Sequence, residues 1–333
     1  MKKILKVMLS LSKHDSRHGL ESCFDKLSMT LVMLLFFTVS SARAAEEGCG
    51  KNYSAVLFEE KTGDILFQKR AEFYAYPASL VKMMTLYLTF EALEKHQLSA
   101  EQLITVSERG EEIAKVNKSN TMRLKVGDKI SVRTAIQAVI VKSFNEAAVT
   151  LAEAVAGSEW EFARKMNEKA VTLGMRNSSF RNSSGLHEEG QYTTAFDLAR
   201  LSKAIKKDFS QYYHLFSLKE FKYLDTKYET HNHVLTSYKG AEGMKTGFTN
   251  ASGFNLISAA QKGDERVISI LMGCSSVARR DQFTKKLLDN AFEKLKMVRE
   301  DKDQISLPLS AGFNYGEEGD GEYQSEMMFG AMQ

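Results

Sequence analysis

Cysteine is scarce in this chain of 333 residues. The three present, Cys23, Cys49 and Cys274, are isolated thiols too far apart in sequence to suggest a zinc site. Histidine offers no alternative. His187, His214, His231 and His233 lack the His-Glu-x-x-His spacing that sets two imidazoles on one helix face. His231-Asn232-His233 alternates as a strand would, and these side chains read as surface or cleft lining. No metal and no other cofactor is expected. A Gly-x-Ser-x-Gly elbow and a phosphate-binding glycine loop are both missing, and there is no internal repeat. What remains is ordinary globular composition, 43% hydrophobic and 26% charged, enough for a core of full size.

Long apolar runs are missing too. The stretch Leu31-Val32-Met33-Leu34-Leu35-Phe36-Phe37 falls short of the roughly 20 residues a membrane span needs. It follows Lys26 and leads to Ala42-Arg43-Ala44, the pattern of a secretory signal peptide with a small-x-small cleavage site. Residues 1–44 are therefore expected to export the chain to a periplasmic or other extracytoplasmic envelope compartment. If uncleaved, they would hold it at the membrane. They carry seven of the 45 Lys and Arg and three of the 42 Asp and Glu, leaving 38 against 39 and a net charge of −1. Such a balance points to no nucleic-acid partner.

Tyr53 to Phe58 and Ile65 to Gln68 are strand-like and flank the turn Lys61-Thr62-Gly63-Asp64. From Ser79 to His96 apolar residues recur at helical spacing, with Met83, Leu86, Tyr87, Phe90 and Leu93 on one side of a helix expected to lie deep in the fold. Further helices are predicted over Val132 to Val141, Glu146 to Ala156, Glu159 to Leu173 with Ser158 as N-cap, and Ala195 to Lys206. Phe254 to Ala260 and Val267 to Met272 form a second strand pair, before a last helix from Arg280 to Met297. Strands at both ends with helices between predict an α+β fold: an antiparallel sheet flanked by helices, plus a helical lobe, over residues 45–299. If the first and last strands are antiparallel neighbours, Cys49 and Cys274 meet and an oxidising compartment favours a bond. Residues 300–333 hold eight acidic residues, one Lys and several Gly, and read as a disordered tail. No basic amphipathic helix closes the chain, so no C-terminal interfacial anchor is expected.

Three clusters stand in order against this background: Ser79-Leu80-Val81-Lys82, Ser143-Phe144-Asn145 and Lys245-Thr246-Gly247. At a helix start, residues i and i+3 point the same way, so Lys82 could take the proton of Ser79. For that Lys82 must be neutral, which burial and a nearby cation such as Lys245 would promote. Ser143, between two helices, could relay a proton to a leaving amine, and Asn145 could hold a substrate amide. Lys245 and Thr246 sit on a strand whose edge can pair with an extended substrate, where they would receive a carboxylate. Each cluster has a plainer reading: an N-cap and a solvated Lys for the first, a cap for the helix at Glu146 for the second, an exposed hairpin strand for the third. Their joint order is what favours a serine acyl-transfer site.

With these residues the sequence resembles the D-alanyl-D-alanine carboxypeptidases, low-molecular-mass penicillin-binding serine peptidases with a β-lactamase-like fold. The likeness covers Asn52 to Met297. It includes Tyr76-Pro77-Ala78-Ser79, Asn182-Ser183-Ser184-Gly185-Leu186, Tyr192-Thr193-Thr194-Ala195, Asp197-Leu198-Ala199, Glu242 to Thr249 and Ser252-Gly253-Phe254. The resemblance implies Ser79 as the acylated nucleophile, Lys82 as its base, Ser143 and Asn145 as the second element, and Lys245 with Thr246 as the third. It implies an oxyanion hole from the N–H groups of Ser79 and Phe248, and Arg280, or its neighbour Arg279, near the substrate carboxylate. Val81 stands where Thr is commoner. Phe144 replaces a usual Gly or Ala and is expected to narrow the cleft.

The function implied is release of the terminal D-alanine from peptidoglycan stem peptides, with β-lactams acylating the same serine. A D,D-endopeptidase acting on cross-links would share every motif, and a noncatalytic penicillin-binding envelope protein could share the fold. A β-lactamase is disfavoured, because Glu188 and Glu189 form no Glu-x-x-x-Asn element for a deacylating water.

Overall fold

The computed structural model describes residues 49–50, 52–116 and 120–305. The leader expected over residues 1–44 and the end of the chain from residue 306 lie outside the described residues. In chain order the elements are β1 (Ser54–Glu59), β2 (Ile65–Lys69), α1 (Lys82–Glu94), β3 (Leu103–Thr105), α2 (Glu108–Val116), β4 (Lys129–Ser131), α3 (Val132–Val141) and α4 (Asn145–Ala156). There follow α5 (Glu159–Thr172), α6 (Ala195–Asp208), β5 (Glu220–Tyr223), β6 (Thr226–Glu229), α7 (His233–Ser237), β7 (Ala241–Thr249), β8 (Gly253–Lys262), β9 (Glu265–Cys274) and α8 (Val277–Ile305).

Five strands form an antiparallel sheet in the order β2-β1-β9-β8-β7. The first strand therefore pairs with the last, Ser54 opposite Met272, which meets the condition set for a Cys49–Cys274 bond. β1 is buried at every position because it is an inner strand, with β2 on one side and β9 on the other. β7 is an edge. The remaining helices and two short hairpins, β3–β4 and β5–β6, make up the helical part.

α1 differs from its predicted one-sided pattern. Apolar residues and Thr cover its whole circumference, and only Glu91 and Glu94 escape burial, so it is a central helix of the core. Its neighbours are amphipathic helices capped by their own sequence. Ser158 accepts from the Glu161 N–H at the start of α5, and Thr194 does the same for Asp197 at the start of α6. The alternation read at His231-Asn232-His233 is not a strand. The Asn232 side chain accepts from the Leu235 N–H and opens the short helix α7, because a helix N-terminus leaves that donor free. Lys245-Thr246-Gly247 lies within β7. α8 continues to Ile305, so the first residues of the predicted tail are helical; no Gly or Pro interrupts the sequence before Pro308. Among the described residues no helix is long and apolar enough to cross a membrane.

Cys49, just before β1, is disulfide-bonded to Cys274 at the end of β9, with Cα atoms 4.8 Å apart. The bond closes a loop of 225 residues across the paired first and last strands. Replacing both cysteines by Ala is expected to lower unfolding free energy by about 2–4 kcal/mol. Urea denaturation of the oxidised wild type beside the double variant would measure the difference.

Candidate active site

Proline and glycine set the backbone around Ser79. After Pro77 the chain makes a single 3₁₀ turn, Ala78–Val81, before α1 begins at Lys82. Ser79 therefore does not open an α-helix as expected. A 3₁₀ turn has three residues per turn and superposes i on i+3 more closely than an α-helix does. The outcome is a Lys82 Nζ 3.0 Å from the Ser79 Oγ. The turn is held from beneath by the buried Asn255 of β8, whose Nδ2 donates to the Pro77 carbonyl at 3.1 Å while its Oδ1 accepts from the Gly273 N–H at 2.8 Å.

Two glycines let other segments approach this turn. A Cβ on Gly185, which has φ +82°, would collide with the Ala78 carbonyl oxygen; one on Gly247 would stand 3.2 Å from the Ser79 nitrogen. The edge strand β7 thus runs with its backbone beside the serine.

Lys82 is fully buried. Its ammonium also donates to the Asn145 Oδ1 at 2.7 Å and to the Ser184 carbonyl. Burial, and then the Lys245 cation, hold Lys82 well below the usual lysine range, against the opposing pull of Glu146 and Glu159. Lys245 is buried as well and donates to the Thr246 carbonyl at 2.8 Å. Burial, with Arg280 adding to it, lowers Lys245 to about 7.

Ser143 does not cap α4. It sits at φ +63°, Phe144 occupies the N-cap position, and the buried Ser143 Oγ has no hydrogen-bond partner among the described residues. Phe144 does not narrow the cleft. It is buried and packs edge-on against Tyr228 at 5.2 Å and Phe221 at 6.4 Å, so its bulk fills the space under the β5–β6 hairpin.

A cleft of about 430 Å³ brings together Ser79, Ser143, Asn145, Thr246, Phe248 and Arg280. Lys82 and Lys245 stand behind its wall. Of the two adjacent arginines, Arg280 lines the cleft with its Nε 2.8 Å from the Asp281 Oδ1, whereas Arg279 is exposed. Asn120 also lines the cleft and carried no motif in the sequence; its segment is placed there by folding alone. His231 and His233 line it as well. The His233 Nδ1 is 3.1 Å from the Asp281 Oδ2, and the His231 Nε2 is 2.9 Å from the Lys142 Nζ. Partial desolvation, with the Lys142 ammonium next, brings His231 down to about 4, so at neutral pH its Nε2 accepts from Lys142. Glu159 was invisible as a site residue. One of its oxygens accepts from the Ser183 N–H at 3.0 Å and Oγ at 2.7 Å, and the other from the Arg109 Nε at 3.0 Å, which fixes the segment that supplies the Ser184 carbonyl and Gly185.

The chain is similar in sequence and fold to known proteins. A family model described as D-alanyl-D-alanine carboxypeptidase matches residues 41–276. D-alanyl-D-alanine carboxypeptidase DacF of Bacillus subtilis is 33% identical over 275 residues, covering 78% of this chain and 68% of that protein. DacD of Escherichia coli is 36% identical over 240 residues, covering 71% and 61%. The chain thus spans about two thirds or less of the lengths of these curated relatives. Among solved structures, penicillin binding protein 6B from Escherichia coli matches with a TM-score of 0.68 at 35% identity, covering 73% of this chain and 77% of that one. The ampicillin-bound form of Penicillin-Binding Protein D2 from Listeria monocytogenes matches with a TM-score of 0.63 at 29% identity, covering 72% and 96%.

The glycine packing gives a direct test. Gly185→Ala is expected to displace the Ala78–Ser79 turn and to slow covalent labelling of the protein by a fluorescent penicillin by about 10–100-fold. The rate constant should fall while far-UV circular dichroism stays that of the wild type.

Proposed function

Because the chain belongs to the D-alanyl-D-alanine carboxypeptidase family, we propose that it is an exported serine D,D-carboxypeptidase that releases the terminal D-alanine of peptidoglycan stem peptides. The observation that carries the reading is the buried Lys82 amine held 3.0 Å from the Ser79 Oγ. Residues 1–44 act as the leader, residues 45–299 as the catalytic domain, and the envelope is the site of action.

A lysine that loses its proton this readily can serve as general base near neutral pH. Lys82 takes the proton of Ser79 as Oγ attacks the carbonyl of the penultimate D-alanine. The oxyanion is met by the N–H groups of Ser79 and Phe248, each such donor being worth on the order of 10²–10³ in rate. Ser143 hands a proton to the departing amine, and Asn145 holds the acyl side. Thr246 and Arg280 receive the terminal carboxylate, with Lys245 adding positive potential from behind the wall. Water then cleaves the acyl-enzyme. A β-lactam presents a similar amide and carboxylate and acylates the same Ser79. The serine, both lysines, Ser143 and Asn145 are all present and mutually placed, which favours catalysis over a purely binding role.

Ser79→Ala should abolish covalent labelling by penicillin; retained labelling would refute the assignment. Incubating wild type with a pentapeptide stem and with a cross-linked dimer is expected to show, by mass, loss of one D-alanine from the stem with the dimer left intact. Splitting of the dimer would instead identify a D,D-endopeptidase.

The lysine pair sets a pH dependence. Acylation requires neutral Lys82, so its rate falls as pH drops through the Lys82 pKa. Removing the like charge in Lys245→Met raises that pKa, and the acidic limb of the acylation profile is expected to move to higher pH. Stopped-flow acylation between pH 5 and pH 9, on the order of one point per half unit, would measure the limb.

A further inference from the structure

Asp281 stands behind the cleft and touches two residues that line it, Arg280 and His233. Arg280 and Asp281 are neighbours near the start of α8, where successive side chains leave a helix in different directions. Even so, the Arg280 side chain folds back on Asp281. Its Nε donates to the Asp281 Oδ1 at 2.8 Å, and its Nη2 is buried 2.7 Å from the same oxygen, out of line for a hydrogen bond. The other oxygen, Oδ2, accepts from the Nδ1 of His233, the first residue of α7, at 3.1 Å. Both members of the Arg280–Asp281 pair are buried, 3% and 8% exposed.

A buried guanidinium is costly without an opposite charge. Arg280 is also near enough to a second buried cation, Lys245, to depress it, so by itself it would turn away toward water. Asp281 is its one ion-pair partner among the described residues. No Asp or Glu is among the residues that line the cleft, so the balancing carboxylate grips the guanidinium from behind and presents no negative surface to a ligand. His233 lines the cleft while bonded to Asp281, which ties α7 to α8 at this end of the site.

We propose that Asp281 is a positioning residue that holds the Arg280 guanidinium in the cleft wall to receive the terminal carboxylate of the substrate, with His233 bracing Asp281 from α7. Asp281 itself touches no substrate and takes no part in acyl transfer. The inference rests on the D,D-carboxypeptidase reading, and within it on the place given to Arg280.

Two thioesters of the same N-acyl-D-alanine separate this role from a structural one. In one the leaving thiol is mercaptoacetate, which carries a carboxylate; in the other it is ethanethiol, which carries none. Thiol release by the full chain gives kcat/KM for each, and the ratio of the two is the readout, because a loosened fold slows both alike. Asp281→Ala is expected to lower the ratio about tenfold, the scale of one hydrogen bond to a charged group, and to change it less than about twofold when Arg280 is already Ala. A ratio unchanged in Asp281→Ala, or lowered as much in the Arg280→Ala background, overturns the proposal. His233→Ala removes a side chain that is 64% exposed, so the fold should tolerate it. Its ratio should fall by about threefold, less than for Asp281→Ala because the Arg280 contact stays. Where the Asp281 variant does not fold, that fall supports the proposal and an unchanged ratio overturns it. If the wild type cleaves both thioesters equally well, Arg280 receives no carboxylate and the inference fails while the enzymatic reading stands. If it cleaves neither, the functional reading fails and the inference with it.

Discussion

Two lysine side chains, Lys82 and Lys245, lie out of water in one site, and most of the surrounding structure exists to hold them there. A buried amine is stable only when neutral, or when hydrogen bonds and opposite charge compensate it. Lys82 has three acceptors, the Ser79 hydroxyl, the Asn145 amide oxygen and the Ser184 carbonyl, each from a different part of the chain. The 3₁₀ turn, the start of α4 and the Ser183–Gly185 segment must therefore converge for the amine to be tolerated.

That convergence explains features that look unrelated in sequence. Asn255 lies far from Ser79 along the chain and never enters the cleft, yet it pins the turn that presents the serine. Gly185 and Gly247 are places where any side chain would push apart the segments that must meet. Lys245 reaches inward from the edge strand and not toward solvent, which lets one cation depress another while Thr246 stays in the cleft wall. Phe144 shows the same logic from the other side: a large ring beside Ser143 is accommodated because the β5–β6 hairpin supplies aromatic partners for it.

Much of this was legible before folding. The strand pairs, the capped helices and the order of the three clusters follow from local pattern, since alternation, caps and i, i+3 spacing are short-range properties. Strands at both ends of the domain suggested that the first and last pair, and the Cys49–Cys274 bond was conditional on that pairing, which the sheet supplies. Where the reading went astray, a tertiary effect had overridden a local one. α1 is buried on every side because it is surrounded, which a one-face pattern does not show. His231-Asn232-His233 alternates, but Asn232 finds a helix N–H to bond. Phe144 was assigned to the cleft because its sequence neighbours are there, yet successive side chains at a helix start point in different directions.

By itself, then, the sequence determined the family, the candidate site residues and the secondary elements near them, because residue identity and short-range spacing suffice for those. The tertiary structure alone decided the electrostatics: that burial and neighbouring charge depress both lysines, which of two arginines reaches the cleft, and which carboxylates act on Lys82. Charge interactions depend on distance and burial across segments remote in the chain, as Glu146, Glu159 and Lys245 are from Lys82, and no local pattern encodes those distances.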